Sequence, residues 1–109
     1  MSLQTPAQIT FHQTAHSDAV EADIRDKIAS LEALSPTLVS CRVVVEREHF
    51  DRADEGPIAV RFELGLPGGK TIVGGAGDQH ESFLDAHAAA RAAFEVTRRQ
   101  LQHHVDRHR

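Results

Sequence analysis

The clearest structural signal in the sequence is the stretch IAVRFELGLPGGKTIV at residues 58–73. In its first nine residues apolar side chains alternate with polar or small ones, which is the pattern of a strand with one buried face. The PGG segment that follows predicts a tight turn, and an extended pattern resumes after it. The stretch therefore predicts a β-hairpin, followed by a glycine-containing loop over residues 74–80.

Two amphipathic helices and two further strands are predicted around this hairpin. The strands cover residues 8–12 and 38–48, and the first helix covers 17–34 with Ser17 as its N-cap. The second helix covers 82–106 and begins with Ser82 and Asp85 as a capping box. Its predicted buried stripe is Phe83, His87, Ala90, Phe94, Thr97, Leu101 and Val105.

The element order β-α-β-β-β-α predicts an α+β fold in one domain. An antiparallel four-stranded sheet with both helices packed on one face would bury every apolar stripe. We expect residues 1–6 to form an N-terminal tail, residues 7–107 the domain and residues 108–109 a C-terminal tail.

Composition restricts the class of protein. The chain has 109 residues, 40% hydrophobic and 26% charged, which is typical of a single globular domain. No apolar run approaches the roughly 18–20 residues that span a bilayer, so we expect no membrane partner. The single cysteine, Cys41, excludes an internal disulfide and fits a reducing compartment, and we expect a cytoplasmic protein.

The charge is unevenly distributed along the chain. The formal net charge is −4, but residues 78–109 contain five basic and five acidic side chains. Arg98, Arg99 and Arg107 lie near the C-terminus together with three histidines. On a helix, such arginines can contact phosphates through the forked guanidinium group without reading bases.

Motifs for enzymatic chemistry are absent from the sequence, so we expect no catalytic residues, no small-molecule substrate and no cofactor. Cys41 falls on the apolar face of a strand and is interpreted as a buried hydrophobic residue. His104 and His108, at i and i+4, could share a zinc ion, although no further ligand is evident and we expect no metal site. A histidine-dependent pH or metal sensor stays open as an alternative.

Several segments together resemble one known family. The sequence ITF at residues 9–11, SDAVE at 17–21, SCRVVVE at 40–46, VRFEL at 60–64 and RRQL at 98–101 follow one another with the order and spacing of the hibernation-promoting-factor family. Members of this family are also called ribosomal subunit interface or sigma-54 modulation (S30EA-like) proteins. The resemblance covers about residues 7–107 and is closest to the short form of the family.

The resemblance implies binding to small-subunit rRNA in the channel used by mRNA and tRNA, so that translation is silenced under stress. Basic residues on the two helices make the rRNA contacts in the family. Lys27, Arg99 and Arg107 match basic family positions, and His103 stands where a lysine is usual. The residues predicted to bind rRNA are Arg25, Lys27, Arg91, Arg98, Arg99, His103 and Arg107.

The sequence also departs from the family in its basic positions. Glu21, Ser30 and Val96 stand where other members carry basic residues. An alternative is therefore a protein-interaction module that kept the fold and lost the rRNA surface. Its docking face would be the small residues predicted to point outward from the second helix, and a homodimer is one partner it could form. Those residues are Ala88, Ala89, Ala92 and Val96.

Overall fold

The computed structural model describes residues 6–47, 56–76 and 85–108, which form four strands and two helices. The elements are β1 (Gln8–His12), α1 (Asp18–Leu34), β2 (Ser40–Arg47), β3 (Ile58–Gly65), β4 (Thr71–Ala76) and α2 (Ala86–Arg107). A short turn of 3-10 helix, Pro67–Gly69, joins β3 to β4. The predicted order of elements is confirmed.

The four strands form one sheet in the order β1-β2-β3-β4. The predicted hairpin is confirmed, because β3 pairs antiparallel with β4 and Leu64 lies opposite Ile72. However, β1 and β2 run parallel, with Ile9 opposite Val43, so the sheet is mixed and the expectation of a fully antiparallel sheet was wrong at this pair. The reason is α1, which carries the chain back along the sheet before β2 begins.

Helix α1 begins and ends where the sequence predicts. The Ser17 hydroxyl accepts a hydrogen bond of 3.2 Å from the Val20 amide and caps the first turn. At the other end, the Ser35 amide donates to the Leu31 carbonyl at 3.0 Å. Ile24 and Leu31 are fully buried, so the apolar side of α1 lies in the core.

One hydrophobic core lies between the helices and one face of the sheet. The inward residues of β2 and β3 meet the buried sides of both helices there, as predicted. These inward residues are Cys41, Val43, Val45, Ile58, Val60, Phe62 and Leu64. At about 25 cal/mol per Å² of apolar surface, burial of this layer is the main favourable contribution to folding.

Strand β4 continues further than predicted, through Gly74 and Gly75, which the sequence placed in a loop. A Cβ atom added to Gly74 would lie 2.9 Å from the Cα atom of Thr97 on α2. The glycine therefore marks a close approach of helix to strand and not a turn. Residues 77–80 of the predicted loop lie outside the described residues.

Helix α2 begins later than the predicted capping box. Asp85 is the N-cap itself, and its side chain accepts a hydrogen bond of 3.0 Å from the His87 amide. The sequence placed Asp85 three residues into the helix, but a short carboxylate is itself among the strongest N-caps. Ser82 and Phe83, the predicted first cap and first apolar contact, lie outside the described residues.

The rotation of α2 also differs from the prediction. Ala89, predicted to point outward, is completely buried, together with Ala93 and Thr97. The close approach at Gly74 explains the difference, since it turns the small side chains of α2 toward β4. The outward surface proposed for docking a protein partner therefore loses Ala89.

Candidate nucleic-acid interface

Helix α2 has one flank that contacts α1. On this α1-facing flank, His87 Nδ1 lies 3.1 Å from Asp23 Oδ2. About two turns further along α2, the Lys27 ammonium lies 5.9 Å from the centre of the Phe94 ring. The contacts hold the two helices together through a histidine–carboxylate pair and a cation–π interaction.

Most of the predicted basic residues of this region already have an ionic partner. Lys27 Nζ lies 2.7 Å from Asp23 Oδ1, and only 16% of the Lys27 side chain is exposed. Arg98 pairs with Glu95 one turn earlier, at 3.0 Å. Arg91 is exposed near this flank and forms no ion pair with any described residue.

Arg25 lies apart from the other predicted residues. It is two positions from Lys27, about 200° around α1, and so projects away from α2. Its guanidinium group pairs with Glu21 at 2.9 Å, and Glu21 also lies 2.6 Å from His16 Nε2. These hydrogen bonds, first that of His16 and then that of Arg25, lower the pKa of Glu21.

The opposite flank of α2 faces β4 and borders an open pocket of about 570 Å³. We call it the β4–α2 pocket. Its apolar lining residues are Leu66, Ile72 and Val73. Ile72 lies opposite Leu64 and faces the helices, whereas Val73 lies opposite Glu63 and its side chain points to the uncovered face of the sheet. Its basic lining residues are Lys70, Arg99, His103, His104 and Arg107. None of the described residues that line this pocket is acidic.

The charges around this pocket are not neutralised by the protein. Among the described residues, neither Arg99, Arg107 nor Lys70 has a carboxylate within ion-pair distance. Desolvation, together with nearby positive charge, lowers the pKa of the His104 imidazole. The charge comes from His108, Lys70 and Arg107, which indicates a positive potential over the pocket.

The structure thus brings together three of the seven predicted residues, namely Arg99, His103 and Arg107. It also adds Lys70 and His104, which the sequence analysis did not select as RNA contacts. A lysine directly after the hairpin turn was visible in the sequence. Its proximity to the C-terminal half of α2 was not, because it depends on α2 crossing β4.

The histidine pair suggested for zinc has a different role in the structure. The rings of His104 and His108 stack with their centres 4.2 Å apart. His108 Nδ1 lies 2.8 Å from the His104 carbonyl oxygen, which occupies one of its two potential ligand atoms. Within residues 6–47, 56–76 and 85–108, no three His, Cys, Asp or Glu side chains are grouped as metal ligands.

Cys41 is buried on the inward face of β2, as predicted. Desolvation by burial, with a smaller contribution from the negative charge of Glu32, raises the pKa of its thiol to about 12. The thiolate is therefore scarce at neutral pH, and the residue serves as a small core side chain. In the part of the chain that is described, no helix is both long and apolar enough to cross a membrane.

The fold and this surface define a small α+β domain whose helical layer carries a local positive face on an acidic protein. The chain belongs to the sigma-54 modulation protein / S30EA ribosomal protein family, whose sequence model matches residues 7–109. The family comprises ribosome-associated, non-enzymatic factors, and the resemblance stated from the sequence is confirmed.

Two solved structures share the fold. The N-terminal domain of Thermus thermophilus Protein Y superposes with a TM-score of 0.68 at 18% identity, over 89% of this chain and 94% of that one. A ribosomal subunit interface protein from Coxiella burnetii superposes with a TM-score of 0.65 at 14% identity, over 94% of each chain. The predicted fold class is confirmed. The sequence matches no curated protein.

Proposed function

We propose that this protein binds the small ribosomal subunit through its rRNA, in the channel used by mRNA and tRNA, and silences translation under stress. It would act in the cytoplasm as a binding factor, with no catalytic step and no cofactor. The observation that carries the proposal is the group of basic side chains on the β4-facing flank of α2 that lack an internal ionic partner.

Charge location explains how an acidic protein can bind a polyanion. The net charge of −4 opposes RNA binding at long range, but such repulsion is screened beyond about 8 Å at physiological salt. At contact distance the interaction with RNA is dominated by the cations that lie next to the phosphates. Arg99 and Arg107 are two turns apart on one side of α2 and can each donate paired N–H groups to a phosphate.

The other predicted residues are assigned a supporting role. Three of them are already paired with a carboxylate: Arg98 with Glu95, Lys27 with Asp23 and Arg25 with Glu21. To contact RNA, each would have to leave its partner, and the lost ion pair would offset much of the free energy gained from the phosphate. Arg91 is exposed and can contact a phosphate directly. We therefore expect affinity to depend most on Arg99, Arg107 and His103.

The proposal is tested by co-sedimentation with purified small subunits at several salt concentrations. The variant Arg99→Gln/Arg107→Gln is compared with Arg42→Gln/Arg61→Gln, which removes the same charge from the uncovered face of the sheet. Arg42 and Arg61 both pair with Glu63, at 3.7 and 2.7 Å.

We expect the α2 variant to bind at least about 10-fold more weakly, and its salt dependence to be shallower by about 1.5 in the log–log slope. The sheet-face variant should bind as the wild type does. Equal losses in the two variants would show that net charge, and not this surface, controls binding. Wild-type protein that fails to sediment with ribosomes at low salt would refute the proposal.

A further inference from the structure

We propose that the β4–α2 pocket binds a free nucleoside di- or triphosphate. This inference goes beyond ribosome binding and does not require it, although both would use Arg99 and Arg107. Occupancy of the pocket would then compete with RNA at these two side chains. The argument combines the size of the pocket, its apolar floor and the spacing of its cations.

The size and floor of the pocket suit an organic ligand better than a lone anion. Small-molecule sites usually measure about 300–1,000 Å³, and this pocket measures about 570 Å³. Its floor is formed by buried Leu66 and half-buried Ile72, which face α2. A base or ribose could pack on the part of Ile72 that stays open.

The cations are spaced for more than one phosphate group. Arg99, His103 and Arg107 follow one another at four-residue intervals, about 6 Å apart along the helix axis. Lys70 lies on the other wall, at the start of β4, so that positive groups converge from two elements. A di- or triphosphate could engage several of them together, whereas one phosphate could reach only a part of the row.

The electrostatic state of the pocket supports an anionic ligand. The described residues around Arg99, Arg107 and Lys70 supply no carboxylate, so these cations are not committed to internal ion pairs. Desolvation and, after it, repulsion by the positive charges of His108, Lys70 and Arg107 lower the pKa of His104. A polyphosphate would relieve that repulsion, which gives it a contribution that an uncharged ligand of the same size lacks.

The test is isothermal titration calorimetry of the full chain with ATP and GTP, and with pyrophosphate and adenosine as partial ligands. We expect saturable binding of ATP or GTP, at least 10-fold weaker binding of pyrophosphate and no detectable binding of adenosine. Equal affinities for pyrophosphate and ATP would overturn the nucleoside part of the proposal. Absence of saturable binding at millimolar nucleotide would overturn all of it.

Two variants locate the site. Arg99→Gln/Arg107→Gln should weaken ATP binding at least 10-fold, and Arg42→Gln/Arg61→Gln should leave it unchanged. Lys70→Gln alters an exposed lining side chain on the β4 side of the pocket and keeps both arginines, so it should also weaken ATP binding at least about fivefold. Unchanged ATP binding in both pocket variants, with their melting curves intact, would place the nucleotide elsewhere and refute the proposal.

The same proteins separate this inference from ribosome binding. Wild-type protein that sediments with small subunits but gives no heat with nucleotides would refute only the nucleotide site. Conversely, nucleotide binding without ribosome binding would refute only the proposed function. If both hold, added ATP should reduce sedimentation of the wild type, and sedimentation of Lys70→Gln should be less sensitive to ATP.

Discussion

The two flanks of α2 carry similar basic side chains but place them in opposite electrostatic situations. On the α1-facing flank, Arg98 pairs with Glu95, and Lys27 from the neighbouring helix pairs with Asp23. On the β4-facing flank, Arg99 and Arg107 have no carboxylate partner among the described residues. The comparison shows that similar cations on two flanks of one helix differ in whether an internal carboxylate neutralises them. We therefore expect the binding surface to depend on this availability and not on the number of cations.

The difference follows in part from what each flank packs against. Helix α1 is rich in acidic residues, and its Asp23 lies within ion-pair distance of His87 and Lys27. Arg98, by contrast, is paired with Glu95 of its own helix. Strand β4, with the sequence TIVGGA, contains no acidic residue. A helix laid across such a strand keeps its charges available for a partner. The acidic residues of α1 are Asp18, Glu21, Asp23, Asp26 and Glu32.

The largest effect is expected where the β4-facing flank depends on close packing. Gly74→Val should destabilise the protein by about 2 kcal/mol, since its side chain would meet the backbone of Thr97 and force α2 away from β4. A loss of this size lowers the melting temperature by about 10 °C in a domain of this length. Thermal unfolding followed by circular dichroism measures it.

The matched control is Gly75→Val on the same strand. A Cβ atom at Gly75 would lie 3.6 Å from the Val60 carbonyl oxygen, an ordinary contact, and the position is exposed. We expect no comparable loss there. If Gly75→Val destabilises as much as Gly74→Val, the cost reflects the strand and not the approach of the helix.

A smaller effect should distinguish two adjacent arginines. Arg99→Gln should weaken binding to small subunits by about fivefold and reduce the salt slope by about 1, since one phosphate contact is lost. Arg98→Gln should change affinity by less than about twofold, because that side chain is already paired with Glu95. Sedimentation at 50 and 150 mM salt compares them.

Freeing Arg98 from its ion pair with Glu95 tests the comparison between Arg98 and Arg99 further. Glu95→Gln removes the partner and should strengthen ribosome binding relative to the wild type. A larger loss in Arg98→Gln than in Arg99→Gln would contradict the division of α2 into a neutralised and an available flank.

The smallest effect concerns the ion pairs between the helices. A hydrogen bond from Lys27 is the main cause that lowers the pKa of Asp23. Burial opposes this shift, and His87 adds to it. Because the folded pKa lies below the ordinary value of 3.8, the carboxylate stabilises the fold above that pH. This contribution is lost as the pH falls through the folded pKa.

Asp23→Asn should therefore cost about 0.5 kcal/mol at pH 7, a value discounted for solvent exposure, and little below pH 3. Urea unfolding between pH 7 and pH 3 measures the difference. Asp26→Asn is the control, because Asp26 is exposed on the same helix and its carboxylate makes no ion pair with described residues. A pH-independent difference between Asp23→Asn and wild type would exclude the ionic explanation.

Local patterns were sufficient to predict most of the fold. Alternation in β3 identified Val60, Phe62 and Leu64 as core residues, and Ser17 correctly marked the start of α1. The predictions were wrong where a residue type is typical of two different local structures. Gly74 is typical of a loop as well as of a close approach, and Asp85 is favourable both in a first turn and as a cap.

The candidate site was predictable only in part, and not as a surface. The sequence selected seven basic residues, and the structure groups three of them, Arg99, His103 and Arg107, with Lys70 and His104, which were not selected. Arg25, Lys27 and Arg98 differ by their ion pairs, and Arg91 lies near the other flank of α2. Arg98 and Arg99 are neighbours in the chain, but they lie about 100° apart around the helix. No local rule assigns them different partners.

The sequence alone therefore determined the order of the elements and the inward faces of α1, β2 and β3, because these depend on periodicities within single segments. It also determined the family, through the order and spacing of short matching segments. Tertiary structure decided the parallel pairing of β1 with β2, the extension of β4 through Gly74, and the convergence of Lys70 on Arg99 and Arg107. The first feature depends on α1, which carries the chain back along the sheet, and the other two depend on how α2 crosses β4.

The ion pairs of Arg98, Lys27 and Arg25 are local, since each joins residues three or four positions apart. Only the tertiary structure places Lys70 near Arg99 and Arg107, because Coulomb interactions act through space and not along the sequence.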